Sequence, residues 1–176
     1  RESITRNILR AGQKPATGLT PPGCGKGYET PSVMKFDPVE ARRLLADAGY
    51  PDGKGFPAFD ILINTNEGHR TIAEAVQAML KENLKIPVRV LNQDWGVYLE
   101  SMRKLEYDLC RAGWVGDYLD PATFLSLWKT GDGNNNTGWS SSRYDSLLAQ
   151  SFLEGDPTKR FATLEEAEKI MLEEAP

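Results

Sequence analysis

Apolar residues recur along this chain with two periods, and the alternation between them predicts most of its elements. Phe59-Asp60-Ile61-Leu62-Ile63-Asn64 is rich in β-branched and aromatic residues and follows the turn formers Gly53, Gly55 and Pro57, so it reads as a strand. In residues 70–84, Ile72, Val76, Met79, Leu80 and Leu84 fall at helical spacing. Pro87 to Asn92 reads as a second strand, a short helix with Val97, Tyr98, Met102 and Leu105 follows, and Tyr107 to Val115 reads as a third strand. Strand, helix, strand, helix, strand spells two crossover connections, which imply an α/β fold with helices packed on a sheet. In open sheets of this kind ligands collect beyond the carboxyl ends of the strands. The residues just past those ends are Asn64 to His69, Asn92 to Trp95 and Trp114 to Tyr118, three loops expected to converge.

The flanks carry strong punctuation. Residues 2–10 read as the end of a helix, and residues 11–34, rich in Gly and Pro, as a long loop. Asp37-Pro38 with Glu40 predicts a capping box opening a helix whose apolar stripe is Ala41, Leu44, Leu45 and Ala48 and which Gly49 ends. The last third is helical and polar: Asp120-Pro121 starts a helix over 122–128, Ser142 caps Arg143 to Leu153, and Asp156-Pro157 starts a helix to Glu174. Gly131 to Gly138 lies between the first two and reads as a surface turn. The three Asp-Pro starts share capping chemistry and no further repeat.

Composition narrows the class. With 176 residues, 40% hydrophobic and 26% charged, the chain can bury one core and is neither disordered nor collagen-like. A net charge of −4 and the lack of any Lys/Arg block argue against nucleic acid as a partner. No apolar run approaches the roughly 20 residues that span a bilayer, and Arg1-Glu2-Ser3-Ile4 is not an export signal. A start in mid-helix without an initiator Met, and an end just after a helix, predict a fragment of a longer chain. Cys24 and Cys110 leave two readings open, a disulfide or two free thiols.

Few residues carry candidate chemistry. Asp117 and Trp114, at the end of the third predicted strand, suit the capture of an α-ammonium group through a charge-assisted hydrogen bond, or equally a turn cap and a core indole. Arg111, inside that strand, needs a partner: Asp94, Asp108, Glu67 or a ligand. His69 reads as the solvent-facing start of a helix or as a ligand contact, and Trp95 as a pocket wall or as core. Trp128 and Trp139 read as packing residues. Gly23-Cys24-Gly25-Lys26-Gly27 lacks the spacing of a phosphate loop, and Asp132 to Asn136 lacks the alternation and terminal Glu of a calcium loop. With one His, a dedicated zinc site is not expected, and no cofactor is implied. Cys110 with His69 is the single Cys-His combination that includes a strand cysteine, so the competing class is a small α/β thiol enzyme.

Five segments occur in one order: Arg1-Glu2-Ser3-Ile4 with Gly12-Gln13-Lys14-Pro15-Ala16 and Thr20-Pro21-Pro22; Ala41 to Tyr50; Asn92-Gln93-Asp94-Trp95; Arg111 to Pro121; and Asn135-Asn136-Thr137-Gly138-Trp139 leading to Tyr144-Asp145. In this the chain resembles bacterial oligopeptide- and dipeptide-binding proteins of ATP-driven importers. The resemblance implies residues 1–176 as a single α/β lobe, a mixed sheet flanked by helices, from a two-lobed periplasmic-binding-protein-like clamp, without the partner amino-terminal lobe and the last strands. It implies a non-enzymatic, exported protein, periplasmic or at the cell surface, that captures peptides and hands them to the permease subunits of the importer. In that likeness Asp117 anchors the peptide ammonium, Trp95 and Trp114 wall the pocket, and Arg111 and His69 help neutralise a peptide carboxylate. Similar proteins also carry nickel chelates, haem or sugars, which keeps a non-peptide ligand as the alternative within the same class.

Overall fold

In a computed structural model the described residues are 1–33 and 35–176; Met34, in the predicted loop over residues 11–34, lies outside them. The chain forms two compact units, Arg1–Pro15 with Phe36–Ala112, and Ala16–Lys35 with Gly113–Pro176.

The first unit is a three-stranded sheet with helices. β1 (Phe59–Asn64) lies in the centre, with β2 (Val88–Gln93) on one side and β3 (Leu109–Cys110) on the other, all parallel. The sheet expected to be mixed is therefore all-parallel in this chain, and the α/β class holds. Central placement explains why β1 reads as an apolar run: Ile61, Leu62 and Ile63 are buried on both faces. Ile61 and Ile63 pack on Ala73, with Phe59, Val76, Val88 and Val90 around them, which stabilises the unit by about 1.5–3 kcal/mol for each fully buried isoleucine.

Ala73 and Val76 belong to α2 (Glu67–Leu84), which carries the chain from β1 to β2; α3 (Trp95–Lys104) carries it past β1 to β3. α2 begins earlier than its apolar periodicity, because the Asn66 side chain accepts from His69 N and nucleates a first turn of polar residues. α1 (Pro38–Asp47) is capped by Asp37, whose carboxylate accepts from Val39 N (3.1 Å) and Glu40 N (3.0 Å). The capping box is half-made, since the Glu40 carboxylate pairs with Arg43 instead of turning back. Residues Ile4–Leu9 form a short π-helical segment where the end of a helix is predicted.

The largest departure is β3. The strand predicted over Tyr107 to Val115 is only Leu109–Cys110, extended by one ladder bond from Arg111 N to Leu62 O (2.9 Å). The carbonyl of Arg111 then turns to the hydroxyl of Tyr98, and residues 112–119 run exposed and irregular. Apolar content there reflects exposed side chains, not a pleated surface.

The second unit is helical: α4 (Ala122–Leu125) with a 3-10 turn (Ser126–Trp128), α5 (Ser142–Leu153) and α6 (Pro157–Glu174). Its core gathers Leu125, Tyr144, Leu148, Leu164, Ala167 and Met171, with Trp128 and Trp139 packed against it as the sequence suggests. The cap of α5 is Ser141, one residue before the predicted Ser142, and Asp156 caps α6 through Lys159 N (3.0 Å). Asp120 accepts from Ala122 N (2.9 Å) and forms a two-bonded ion pair with Arg160 at 2.6 and 2.8 Å.

The Gly/Pro-rich segment of this unit is held by one buried carboxylate. Glu168, on α6, has no solvent exposure and accepts from Leu19 N (2.7 Å), Thr20 N (2.9 Å) and the Tyr28 hydroxyl. Three donors satisfy a charge that would otherwise be costly to bury. Gly18 makes the approach feasible: a Cβ there would stand 2.6 Å from Glu168 Oε1 and 2.6 Å from Thr30 Cγ2. This segment is an ordered part of the fold, and nothing in its local pattern announces the partner on α6.

Candidate functional site

Because the three strands are parallel, their carboxyl ends share one edge of the sheet, and three candidate residues follow them directly: His69 after β1, Trp95 after β2 and Arg111 after β3. Of the three loops expected to converge, those at residues 64–69 and 92–95 belong to the first unit and the one at residues 114–118 to the second.

His69 sits in the first turn of α2 and is half-buried. Its Nδ1 lies 2.8 Å from Asn64 Oδ1, a contact satisfied by a proton on Nδ1, which in the neutral ring leaves the Nε2 lone pair for a ligand. Burial, and then the nearby Arg111 charge, push its pKa below the usual histidine value and favour that neutral form. An anion arriving beside the ring acts in the opposite sense and draws a proton onto Nε2.

Arg111 is half-buried as a residue, and no carboxylate among the described residues pairs with its guanidinium; Asp94, Asp108 and Glu67 do not serve as its internal counter-ion. Asp108 instead accepts from Asp60 N (2.9 Å), and Asp60 pairs with Arg89. The Arg111 backbone is held at both polar atoms, N on Leu62 and O on Tyr98.

Trp95 is 59% exposed and lies in a stacked arrangement on Tyr98, ring centroids 5.5 Å apart and planes at 22°. Its indole is thus a surface plate on a buried support, not a core residue. Tyr98, the support, is 3% exposed. In the sequence it is one more apolar position of a helical stripe, and no local signal distinguishes its hydroxyl.

Cys110 does not form a nucleophile with His69. Its Sγ lies 3.6 Å from Tyr98 Oη and 3.6 Å from Arg111 O, and burial raises the thiol pKa despite the lowering effects of Tyr98 and Arg111. An activated cysteine needs the reverse. Cys24 and Cys110 are both free thiols, so of the two readings left open the unbridged one holds.

The other two candidates belong to the second unit. Trp114 and Asp117 lie in its exposed segment ahead of α4. Asp117 N donates to Thr123 Oγ1 (3.0 Å), a buried hydroxyl, while the Asp117 carboxylate has no partner among the described residues. Gly116 lies close under this path: a Cβ would stand 3.0 Å from Phe124 Cζ and from Thr123 Cγ2. Asp117 is therefore a free anion on a backbone fixed by Thr123, a residue the sequence reading passed over as part of a short helix. The Asp132 to Asn136 stretch is a turn, with Asp132 Oδ1 accepting from Asn134 N (2.9 Å).

Residues 1–136 match the family described as bacterial extracellular solute-binding proteins, family 5 Middle. The chain belongs to this family. Among family 5 solute-binding proteins it is 35% identical to the oligopeptide-binding protein OppA of Bacillus subtilis (strain 168), over 100% of this chain and 34% of that protein. It is 37% identical to the periplasmic murein peptide-binding protein MppA of Escherichia coli (strain K12), again over 100% of this chain and 34% of that protein. The solved structure of the Escherichia coli murein tripeptide binding protein MppA superposes with a TM-score of 0.92 at 37% identity, covering 100% of this chain and 35% of that one. The chain thus spans about a third of the length of the family 5 proteins it matches. These relatives are named as binding proteins, in agreement with a non-enzymatic reading and against the thiol enzyme.

Proposed function

We propose that the chain is part of the substrate-binding component of an ATP-driven importer, an exported protein that captures peptides and delivers them to permease subunits in the membrane. The observation that carries the reading is Arg111, a half-buried residue at the ligand-collecting edge of a parallel sheet, whose guanidinium has no counter-ion among the described residues. A cation on such a residue, kept without an internal partner, is poised for an anion from outside.

In this reading Arg111 takes a peptide carboxylate and His69 adds a proton-dependent contribution. Trp95 and Trp114 offer apolar surface to side chains, and Asp117 takes the peptide α-ammonium group. Family membership supports a peptide as ligand, since the relatives named above bind oligopeptides or murein peptides by name. Residues 1–176 would then be part of one lobe of a clamp, the partner lobe supplying the remainder of the contacts.

The test is calorimetric binding of a tri- to pentapeptide pool to the full-length gene product, with free or acetylated amino ends, repeated on Asp117→Ala. Acetylation and the substitution are each expected to weaken binding by about 10- to 100-fold, a charge-assisted bond of roughly 1.5–3 kcal/mol, without adding to one another. Free and acetylated peptides binding equally would remove the ammonium anchor from the reading.

A further inference from the structure

We propose that Tyr98 is a positioning residue for Arg111: its hydroxyl sets the direction in which the guanidinium leaves the end of β3, and so governs recognition of a carboxylate-bearing ligand end. The proposal rests on the reading above in which Arg111 takes the peptide carboxylate.

Three observations carry it. The Arg111 side chain has no hydrogen-bond partner among the described residues, so the protein's hold on this residue is through its backbone. Both polar atoms of that backbone are anchored, and the carbonyl also has the weaker thiol of Cys110 at 3.6 Å. Arg111 N donates to Leu62 O (2.9 Å) in the last ladder bond of β3, and the Tyr98 hydroxyl donates to Arg111 O. With both peptide planes around Arg111 held, its Cα–Cβ direction is fixed; the next residue, Ala112, is already exposed and irregular.

Tyr98 is also suited to the task. It is almost fully buried on α3, and its ring carries the Trp95 indole, so a single side chain supports two of the candidate ligand contacts. Burial, and then the neighbouring Cys110, raise the phenol pKa, which keeps it a donor throughout the working pH range. Tyr98 and the Cys110 thiol both point at the Arg111 carbonyl, so the group of Arg111 left for a ligand is its guanidinium.

The experiment compares two versions of one tripeptide pool, with free carboxyl ends and with amidated ends, by calorimetry on the full-length gene product. Wild type is expected to prefer the free acid, and Arg111→Gln to abolish that preference. Tyr98→Phe, which keeps the ring under Trp95, is expected to reduce the preference by roughly 3- to 10-fold while changing affinity for the amide less than twofold. A second pair guards against a folding defect: Tyr98→4-aminophenylalanine and Tyr98→4-methylphenylalanine fill similar volume with and without a donor, and only the amine should retain the preference.

If Arg111→Gln abolishes the preference but neither donor-free variant alters it, or if both peptide pools weaken alike, Tyr98 is merely structural and the proposal fails alone. If Arg111→Gln leaves the preference intact, or wild type binds neither pool, the reading of Arg111 fails and the proposal with it.

Discussion

Glu168 is a buried tie of the second unit: Leu19 N, Thr20 N and the Tyr28 hydroxyl all end on it with no solvent to replace it. Glu168→Ala strands three donors, each costing about 1–3 kcal/mol when left unsatisfied, so urea denaturation should show a loss of at least about 3 kcal/mol. Gly18→Ala acts on the same contact from the other side, and the 2.6 Å approach predicts a loss of about 1–3 kcal/mol in the same assay. In the sequence, Glu168 is one of several carboxylates on a polar helix, and its burial depends on a segment roughly 140 residues away. His69 makes the residue-scale pH prediction. Its folded pKa lies below the usual 6.5, so below that value the unfolded chain binds more protons and the His69 contribution to stability is lost as pH falls. A bound carboxylate reverses the preference, so affinity for free-acid peptides should rise from pH 7 towards pH 5, read by calorimetry in buffers of different ionisation enthalpy.

Elements were legible where local chemistry determines them. Asp37 and Asp156 cap the helices they were expected to start, because an aspartate before proline satisfies orphan N–H groups whatever lies around it. β1 and β2 were legible from β-branched residues, and β3 in place but not in length, because the Arg111 carbonyl turns to the Tyr98 hydroxyl of another element. α2 hid three residues of its start, since Glu67, Gly68 and His69 carry no apolar period and the turn is capped by the Asn66 side chain. At this scale the Asp120–Arg160 pair, about a fifth exposed on each side, is the joint to test. Burial raises the Asp120 pKa, but the Arg160 hydrogen bonds, the Ala122 N–H and the Arg160 charge outweigh it and hold it below the usual aspartate value. The contribution is therefore present above about pH 4 and is lost as pH falls through the depressed value, where the unfolded chain takes up its proton first. Arg160→Ala should cost about 1–3 kcal/mol at pH 7 and remove this part of the acid sensitivity, measured by thermal unfolding at pH 7 and pH 3.

For the molecule as a whole, the two units divide the candidate residues between them: a neutral histidine, a free guanidinium and a supported indole in the first, an anion on a fixed turn in the second. The exposed segment from Ala112 to Leu119 is open to proteolysis, with Tyr118 and Leu119 as chymotryptic sites. Brief chymotrypsin treatment of the full-length gene product should cut there early, and a bound peptide should slow that cut if Trp114 and Asp117 lie against the ligand. Class, element order, caps and the identity of the candidate side chains follow from the sequence by itself, because periodicity and capping are local and five motifs recur in family order. The length of β3, the burial of Glu168, the neutral tautomer of His69, the unpaired state of Arg111 and the support of Trp95 by Tyr98 were decided only by the tertiary structure. Each depends on which distant group occupies a hydrogen-bonding atom, and that choice is made when remote segments pack together.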